Sequence, residues 1–238
     1  MESSVLFLFA HPDDEFGVYH CMEEERQRGR RIFCAYLTDG SAGTASPERR
    51  LGEAVAVLRS FGVQAQDVAF PGHELAIPDG GLPEHLDKVG AWLANYIAQH
   101  EEPEAIYLPA WEGGHHDHDG LHAAALVVLQ KLGLLERVRQ FPLYHGQGCK
   151  APWFKVLRPL TVNGETQVAR ISWPNRIRYL RHCLGYPSQW RSWIGLFPFV
   201  AWHYLAHGTQ SLQTVSPART AIRPHEGPLY YEQRKFYT

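Results

Sequence analysis

Over its first two thirds the chain alternates short apolar runs with amphipathic stretches. "VLFLFA" at 5–10 and "RIFCAYL" at 31–37 are apolar runs of strand length, and "FGVYHCMEEERQRG" between them has helical spacing and stops near Gly29. After Pro47, "ERRLGEAVAVLRSFG" repeats apolar residues in the same way and ends at Gly62. The series continues with a strand at "DVAF", a helix over "LPEHLDKVGAWLANYIAQH", a strand over "EAIYLPA" at 104–110, a helix over "GLHAAALVVLQKLG" and a strand at "FPLYH", 141–145. This alternation predicts βαβ units and a mostly parallel sheet covered on both faces. In such sheets ligands gather beyond the carboxyl ends of the strands.

Beyond residue 150 the rhythm changes. "FKVLRPLTV" and "TQVARISW" predict two further strands, followed by an aromatic helical region over 174–207 and a Pro-containing tail. No repeat or low-complexity linker separates this part. The chain is therefore expected to be one domain over 1–238, with an α/β part at about 1–150 and a C-terminal elaboration at about 151–238.

Two polar clusters interrupt the apolar pattern. The first strand ends at Ala10, which leaves His11, Asp13, Asp14 and Glu15 in the loop entering the next helix. Desolvating such groups is costly unless something pairs with them. Imidazole and carboxylate suit zinc, and a catalytic zinc takes three protein ligands with one position open. About a hundred residues later the strand "AIYLPA" runs into "WEGGHHDHDGLHAAAL", which puts His115, His116, Asp117 and His118 between a Gly pair and a helix start, with Asp117 expected as the helix cap. Taken singly, an Asp after a strand reads as a cap and a His as a surface or satisfied core residue. Together, after strands of one sheet, they read as a site. Within the second cluster His118 and His122 form an alternative i,i+4 ligand pair, against which His122 reads as a residue packing behind the site.

Composition narrows the function classes. The 238 residues are 45% hydrophobic and 20% charged, with a formal net charge of -2. The 23 basic residues are spread out, which gives no stripe for nucleic acid but leaves a small anionic substrate open. Cys21, Cys34, Cys149 and Cys183 show no CxxC spacing and are expected to be reduced thiols in a cytoplasmic protein. The first residues are too short an apolar stretch for a signal peptide, and no run approaches the ~20 apolar residues that span a bilayer.

"AHPDDE" at 10–15 together with "GHHDH" at 114–118 resembles the LmbE-like, or PIG-L, family of zinc-dependent de-N-acetylases, whose second motif usually reads H-P-D-H. The likeness extends to "LTDGSAG" at 37–43, to Arg50 and Glu53 as an R-x-x-E, and to "SQW" at 188–190; it is good to about residue 130 and thin beyond. The resemblance implies a Rossmann-like fold with Zn2+ on His11, Asp14 and His118, Fe2+ and Co2+ being alternatives that suit the same ligands. It also implies Asp13 as general base, His115 as electrostatic partner of the reacting carbonyl, and Arg50 and Glu53 as substrate-positioning residues. Two departures stand out. His116 replaces the usual proline, and Gly113 stands where some relatives carry a tyrosine, a role that Tyr144 or His145 would have to fill.

The activity so implied is removal of an N-acetyl group from an amino sugar in a GlcNAc-type glycoconjugate, glycolipid or nucleotide sugar. The alternatives are a zinc amidase on a non-sugar N-acyl compound or thiol conjugate, and a metal-binding relative without catalysis. Arg50 and Glu53 also read as a surface ion pair. "FPGHELAIPDGG" at 70–81 reads as a rim loop with His73 at the surface. The aromatic stretch 190–206, with three Trp and two Phe, reads either as core or oligomer contact or as a peripheral membrane surface on which Trp193 and Phe197 would be the residues to replace.

Overall fold

A computed structural model describes residues 3–41, 46–100 and 103–234. At its centre lies β1 (Ser4–Phe9), whose residues from Val5 onward are all fully buried. Side chains alternate across a strand, so Val5, Phe7 and Phe9 enter one core while Leu6, Leu8 and Ala10 enter the other. A strand covered on both faces reads as an unbroken apolar run, which is why "VLFLFA" shows no alternation.

The chain proceeds through α1 (Tyr19–Gln27), β2 (Arg31–Tyr36), α2 (Pro47–Arg59), β3 (Val68–Ala69), the short α3 (Pro71–Glu74), α4 (Leu86–Gln99), β4 (Ala105–Pro109), α5 (His116–Lys131) and β5 (Val138–Phe141). These five strands are parallel, in the order β3-β2-β1-β4-β5. The order reverses between β1 and β4, and there the loops leaving adjacent strands diverge to opposite faces and open a crevice. Both polar clusters leave from these two strands.

The C-terminal part differs from expectation in detail. "FPLYH" is not one strand: β5 ends at Phe141, and β6 (Tyr144–His145) forms a separate antiparallel pair with β7 (Lys155–Val156). Pro159 and the turn at Thr161–Asn163 break the strand expected over 154–162. β8 (Thr166–Arg170) is followed by α6 (Trp173–Cys183) and α7 (Trp190–Trp202), so the helical region is interrupted at 184–189. β9 (Thr209–Gln213) pairs antiparallel with both β8 and β5 and extends the same sheet to seven strands. Two single turns, α8 (Pro217–Thr220) and α9 (Tyr230–Gln233), end the described chain. All four cysteines are free thiols, and no helix among the described residues is long and apolar enough to cross a membrane.

Candidate metal centre and active site

The turn after β1 fixes the first cluster through its own backbone. Asp14 Oδ2 accepts the N–H groups of Ala10 at 3.0 Å and His11 at 2.8 Å, which leaves Oδ1 pointing at His118 Nε2, 3.0 Å away. His11 Nδ1 lies 3.2 Å from the same nitrogen and 3.7 Å from Asp14 Oδ2. His11 directs its other nitrogen, Nε2, at Asp117 Oδ2 (2.8 Å) and Asp79 Oδ1 (3.3 Å), which places the proton on Nε2 and the lone pair on Nδ1.

Three buried donors thus converge from two strand ends. Bonds of about 2.0–2.1 Å in tetrahedral array separate ligand atoms by roughly 3.3 Å, the spacing found here. The donor set and its spacing fit a divalent ion. Burial opposes ionisation of Asp14, but the neighbouring His118 and His11 rings hold its carboxyl well below the usual range.

Asp13 stands beside this set at a φ of +113° and lines the cavity. Burial pushes its carboxyl up to about 7, against the pull of the Arg50 guanidinium 3.5 Å away. His115 is the helix cap in place of Asp117: its Nδ1 accepts the Asp117 N–H at 3.2 Å, which assigns the ring proton to Nε2. Burial, reinforced by the neighbouring His11, lowers its pKa to about 3, so the ring is neutral. Gly114 lets this loop lie against Tyr144, whose carbonyl oxygen would collide with a Cβ there.

Asp117 serves a different purpose from the expected cap. Its Oδ1 accepts Leu82 N–H at 3.0 Å and its Oδ2 accepts Gly80 N–H at 2.6 Å as well as His11. His116, in the position where relatives carry proline, donates from Nε2 to Gly80 O at 2.8 Å and stacks on His115 with centroids 4.4 Å apart. Both residues therefore anchor the 78–82 turn that delivers Asp79 to His11. Asp79 was hidden in "IPDGG", where an Asp before two glycines reads as a turn former.

Arg50 is buried and holds three loops together. It donates to Gly40 O, to Pro12 O at 2.8 Å and to Asp79 Oδ2 at 3.2 Å, and it reaches the cavity. Glu53 does not line the cavity. Its carboxylate accepts the Ser188 N–H at 3.2 Å and the Ser188 hydroxyl at 2.5 Å, fastening the turn that carries the cavity residue Gln189. The surface pair on this helix is instead Arg49 with Glu53, at 3.2 Å. In the "TDGSAG" segment Thr38 donates to Ala10 O at 2.7 Å, while Ala42 and Gly43 lie outside the described residues.

His122 turns away from the metal donors to hydrogen-bond Pro109 O at 2.8 Å, which removes it from the ligand set. His145 likewise donates to Arg158 O at 2.9 Å, whereas Tyr144 lines the cavity with its ring 5.6 Å from that of His118. His73 is exposed, as expected, although it lies in the short helix α3 and not in a loop. The cavity above the donors encloses about 480 Å³ and is walled by Phe154, Gln189, Arg191, Leu196, Tyr230 and Arg234, of which only Gln189 falls in a motif, the "SQW" stretch.

Comparison with known proteins bears on this arrangement. The family model of the PIG-L GlcNAc-PI de-N-acetylases matches residues 6–129. No protein of curated function matches the chain in sequence. Among solved structures, the N,N'-diacetylchitobiose deacetylase of Pyrococcus horikoshii superposes with a TM-score of 0.65 at 16% identity, covering 94% of this chain and 88% of that one. The A40926 pseudoaglycone deacetylase Dbv21 gives 0.66 at 17% identity, covering 95% and 100%. The zinc inhibited form of teicoplanin deacetylase Orf2 gives 0.63 at 16%, covering 89% and 98%. Both motifs lie inside the matched segment, which is more than half of the sequence, and the fold is that of the LmbE-like deacetylases: the chain belongs to the PIG-L family of de-N-acetylases.

Proposed function

We propose that the protein is a metal-dependent hydrolase that removes the acetyl group from the nitrogen of an N-acetylated amino sugar of the GlcNAc type. The observation that carries this reading is the convergence of His11 Nδ1, Asp14 Oδ1 and His118 Nε2 beside the Asp13 carboxylate at the floor of one cavity.

A divalent ion held by these three residues supplies a Lewis acid for the amide carbonyl and acidifies a water from ~15.7 toward ~7. Asp13 takes a proton from the attacking water and returns it to the nitrogen as the C–N bond breaks, so that the water oxygen ends on acetate and the amine leaves free. The neutral His115 donates its Nε2 proton as a hydrogen bond to the carbonyl oxygen, where negative charge develops. A charged imidazolium there is disfavoured by burial and by the neighbouring His11. Tyr144, which lines the cavity beside His118, takes the role of the tyrosine absent at Gly113. Sugar rings fit the apolar and guanidinium-bearing walls, and the sugar-like substrates named for the chitobiose and pseudoaglycone deacetylases agree with that choice.

The test is acetate release from GlcNAc, UDP-GlcNAc, GlcNAc-inositol lipids and N-acetylcysteine conjugates, run beside elemental analysis of the purified chain. Zinc, iron(II) and cobalt(II) are compared at graded loading, because a related deacetylase is described in a zinc inhibited form. Release from a sugar that Asp13→Asn abolishes supports the reading. Activity confined to the non-sugar amides, or full activity in Asp13→Asn, overturns it.

A further inference from the structure

Helix α7 has three sides, and each meets different surroundings. On the first, Trp193 and Val200 are buried, with Trp193 edge-on to Phe16 at 5.6 Å. On the second, Arg191, Ser192, Gly195 and Leu196 line the catalytic cavity. On the third, Trp190, Ile194 and Trp202 are 56%, 65% and 68% exposed, with the exposed Pro198 among them. A spacing of four keeps these residues in one stripe. Trp153, 61% exposed and 6.0 Å from Phe199, widens it. A contiguous exposed stripe of this kind marks an interaction surface. Trp193, and Phe197 half-buried beside it, belong to the core side and not to this surface.

Charge selects the partner. From Thr166 to His225 the sequence contains no Asp or Glu. Arg191 lies over the Trp190 ring at 5.5 Å, and the exposed Arg158 meets His207 at 3.0 Å just beyond the end of α7. Neither guanidinium pairs with a carboxylate among the described residues. Indole rings flanked by arginines, on a segment that carries no acid of its own to repel phosphate, match the interface of an anionic bilayer, where the rings enter the head-group boundary and the cations stay with the phosphates.

We infer that the stripe formed by Trp190, Ile194, Trp202 and Trp153 docks the protein on an anionic lipid surface. Because the same helix walls the cavity, docking sets the cavity mouth at the membrane and suits a substrate whose amide-bearing head group is held by a lipid anchor. That last step rests on the proposed reaction; the docking does not.

The experiment is sedimentation of the full chain with vesicles of phosphatidylcholine and phosphatidylglycerol at 3:1, and with phosphatidylcholine alone. Binding to the anionic vesicles is expected, weakened about tenfold or more by the triple change W190S/I194S/W202S while melting temperature and turnover of a soluble N-acetylated sugar stay unchanged. Arg158→Gln, which disturbs no apolar contact, should weaken only the anionic binding, by about fivefold. Failure to sediment, or equal binding by the triple variant, overturns the inference. A concentration-dependent dimer lost in that variant, without vesicle binding, would assign the stripe to a second copy of the chain. Vesicle binding without acetate release from any sugar would sustain docking and sink the reaction.

Discussion

The carboxylate of Glu15 accepts the backbone N–H of Asp13 at 3.0 Å while Asp13 holds a φ of +113°. Non-glycine residues in that region cost about 1–3 kcal/mol and persist where their surroundings over-determine them. Here the strain turns the Asp13 side chain away from Asp14, although the two are adjacent in sequence, so one carboxylate ligates and the other is left for the proton. Asp13→Gly should therefore raise the unfolding free energy by about 1 kcal/mol while lowering turnover by at least about a hundredfold. Urea unfolding alongside acetate release checks both; a destabilised Asp13→Gly would show that the backbone is not strained.

Removing a ligand and removing its neighbour should separate cleanly. His118→Ala is expected to purify with little or no metal. His122→Ala should keep a full complement and lose stability by about 1–3 kcal/mol, since its ring is buried on Pro109 O. Elemental analysis after dialysis against a weak chelator decides, and metal loss in His122→Ala would restore the i,i+4 pair as ligands.

The carboxylates behind His11 should tune the ion more weakly than the ligands do. Asp117→Asn changes the acceptor facing His11 Nε2 and is expected to weaken metal affinity by about 10–100-fold. His116→Pro, which recreates the common family motif, loses the hydrogen bond to Gly80 O and should weaken affinity less than Asp117→Asn. Competition with a colorimetric chelator ranks the two; the reverse order would contradict the anchoring role given to Asp117.

Glu53 should matter for substrate fit and not for chemistry. Glu53→Ala frees the Ser188 turn and, with it, Gln189 in the cavity wall. The expected result is a KM raised several-fold with kcat within about twofold and metal content unchanged. A fall in kcat at constant KM would place Glu53 in the reaction itself.

Stability should fall in mild acid for a reason outside the metal centre. His122 and His145 are buried as neutral rings with pKa values lowered to about 4 by burial, with Arg219 beside the first and Lys155 and His225 beside the second pushing the same way. In the unfolded chain both titrate near 6.5, so unfolding takes up protons between about pH 6.5 and 4. Stability is then complete above about 6.5 and lost as the pH drops toward 4. His145→Gln should lose about 2 kcal/mol less than the parent protein between pH 7.5 and 5. Equal losses in urea titrations of the two proteins would exclude His145 as a contributor.

The parallel half of the fold and the metal donors were legible because both depend on local pattern. β1 announces itself by six consecutive positions that nothing polar interrupts, and His11, Asp14 and His118 sit in the segments that follow strand ends. Contacts between distant segments were not legible. Nothing in Arg50-x-x-Glu53 signals that its carboxylate meets Ser188, 135 positions away. Asp117 looked like a cap, yet capping needs only one acceptor and His115 provides it, so the better-placed Asp117 turns to His11 and to the 78–82 turn. The stretch 154–162 is apolar enough for a strand, but only Lys155–Val156 finds a partner, in β6, and Leu157 and Leu160 bury themselves outside any strand once Pro159 breaks the ladder. In α7 the composition announced an aromatic surface while only burial could divide it, giving Trp193 to the core and Trp190 to the outside.

The order of residues along the chain has a consequence for how such proteins diversify. Every side chain assigned to the ion or to proton movement precedes residue 146, whereas the walls at Phe154, Gln189, Arg191, Leu196, Tyr230 and Arg234 all follow it. The chemistry is therefore carried on the first stretch of sequence and much of the cavity wall on the second. A lineage can rewrite its second stretch, lengthening a loop or replacing a helix face, and change what it recognises without disturbing how it cuts.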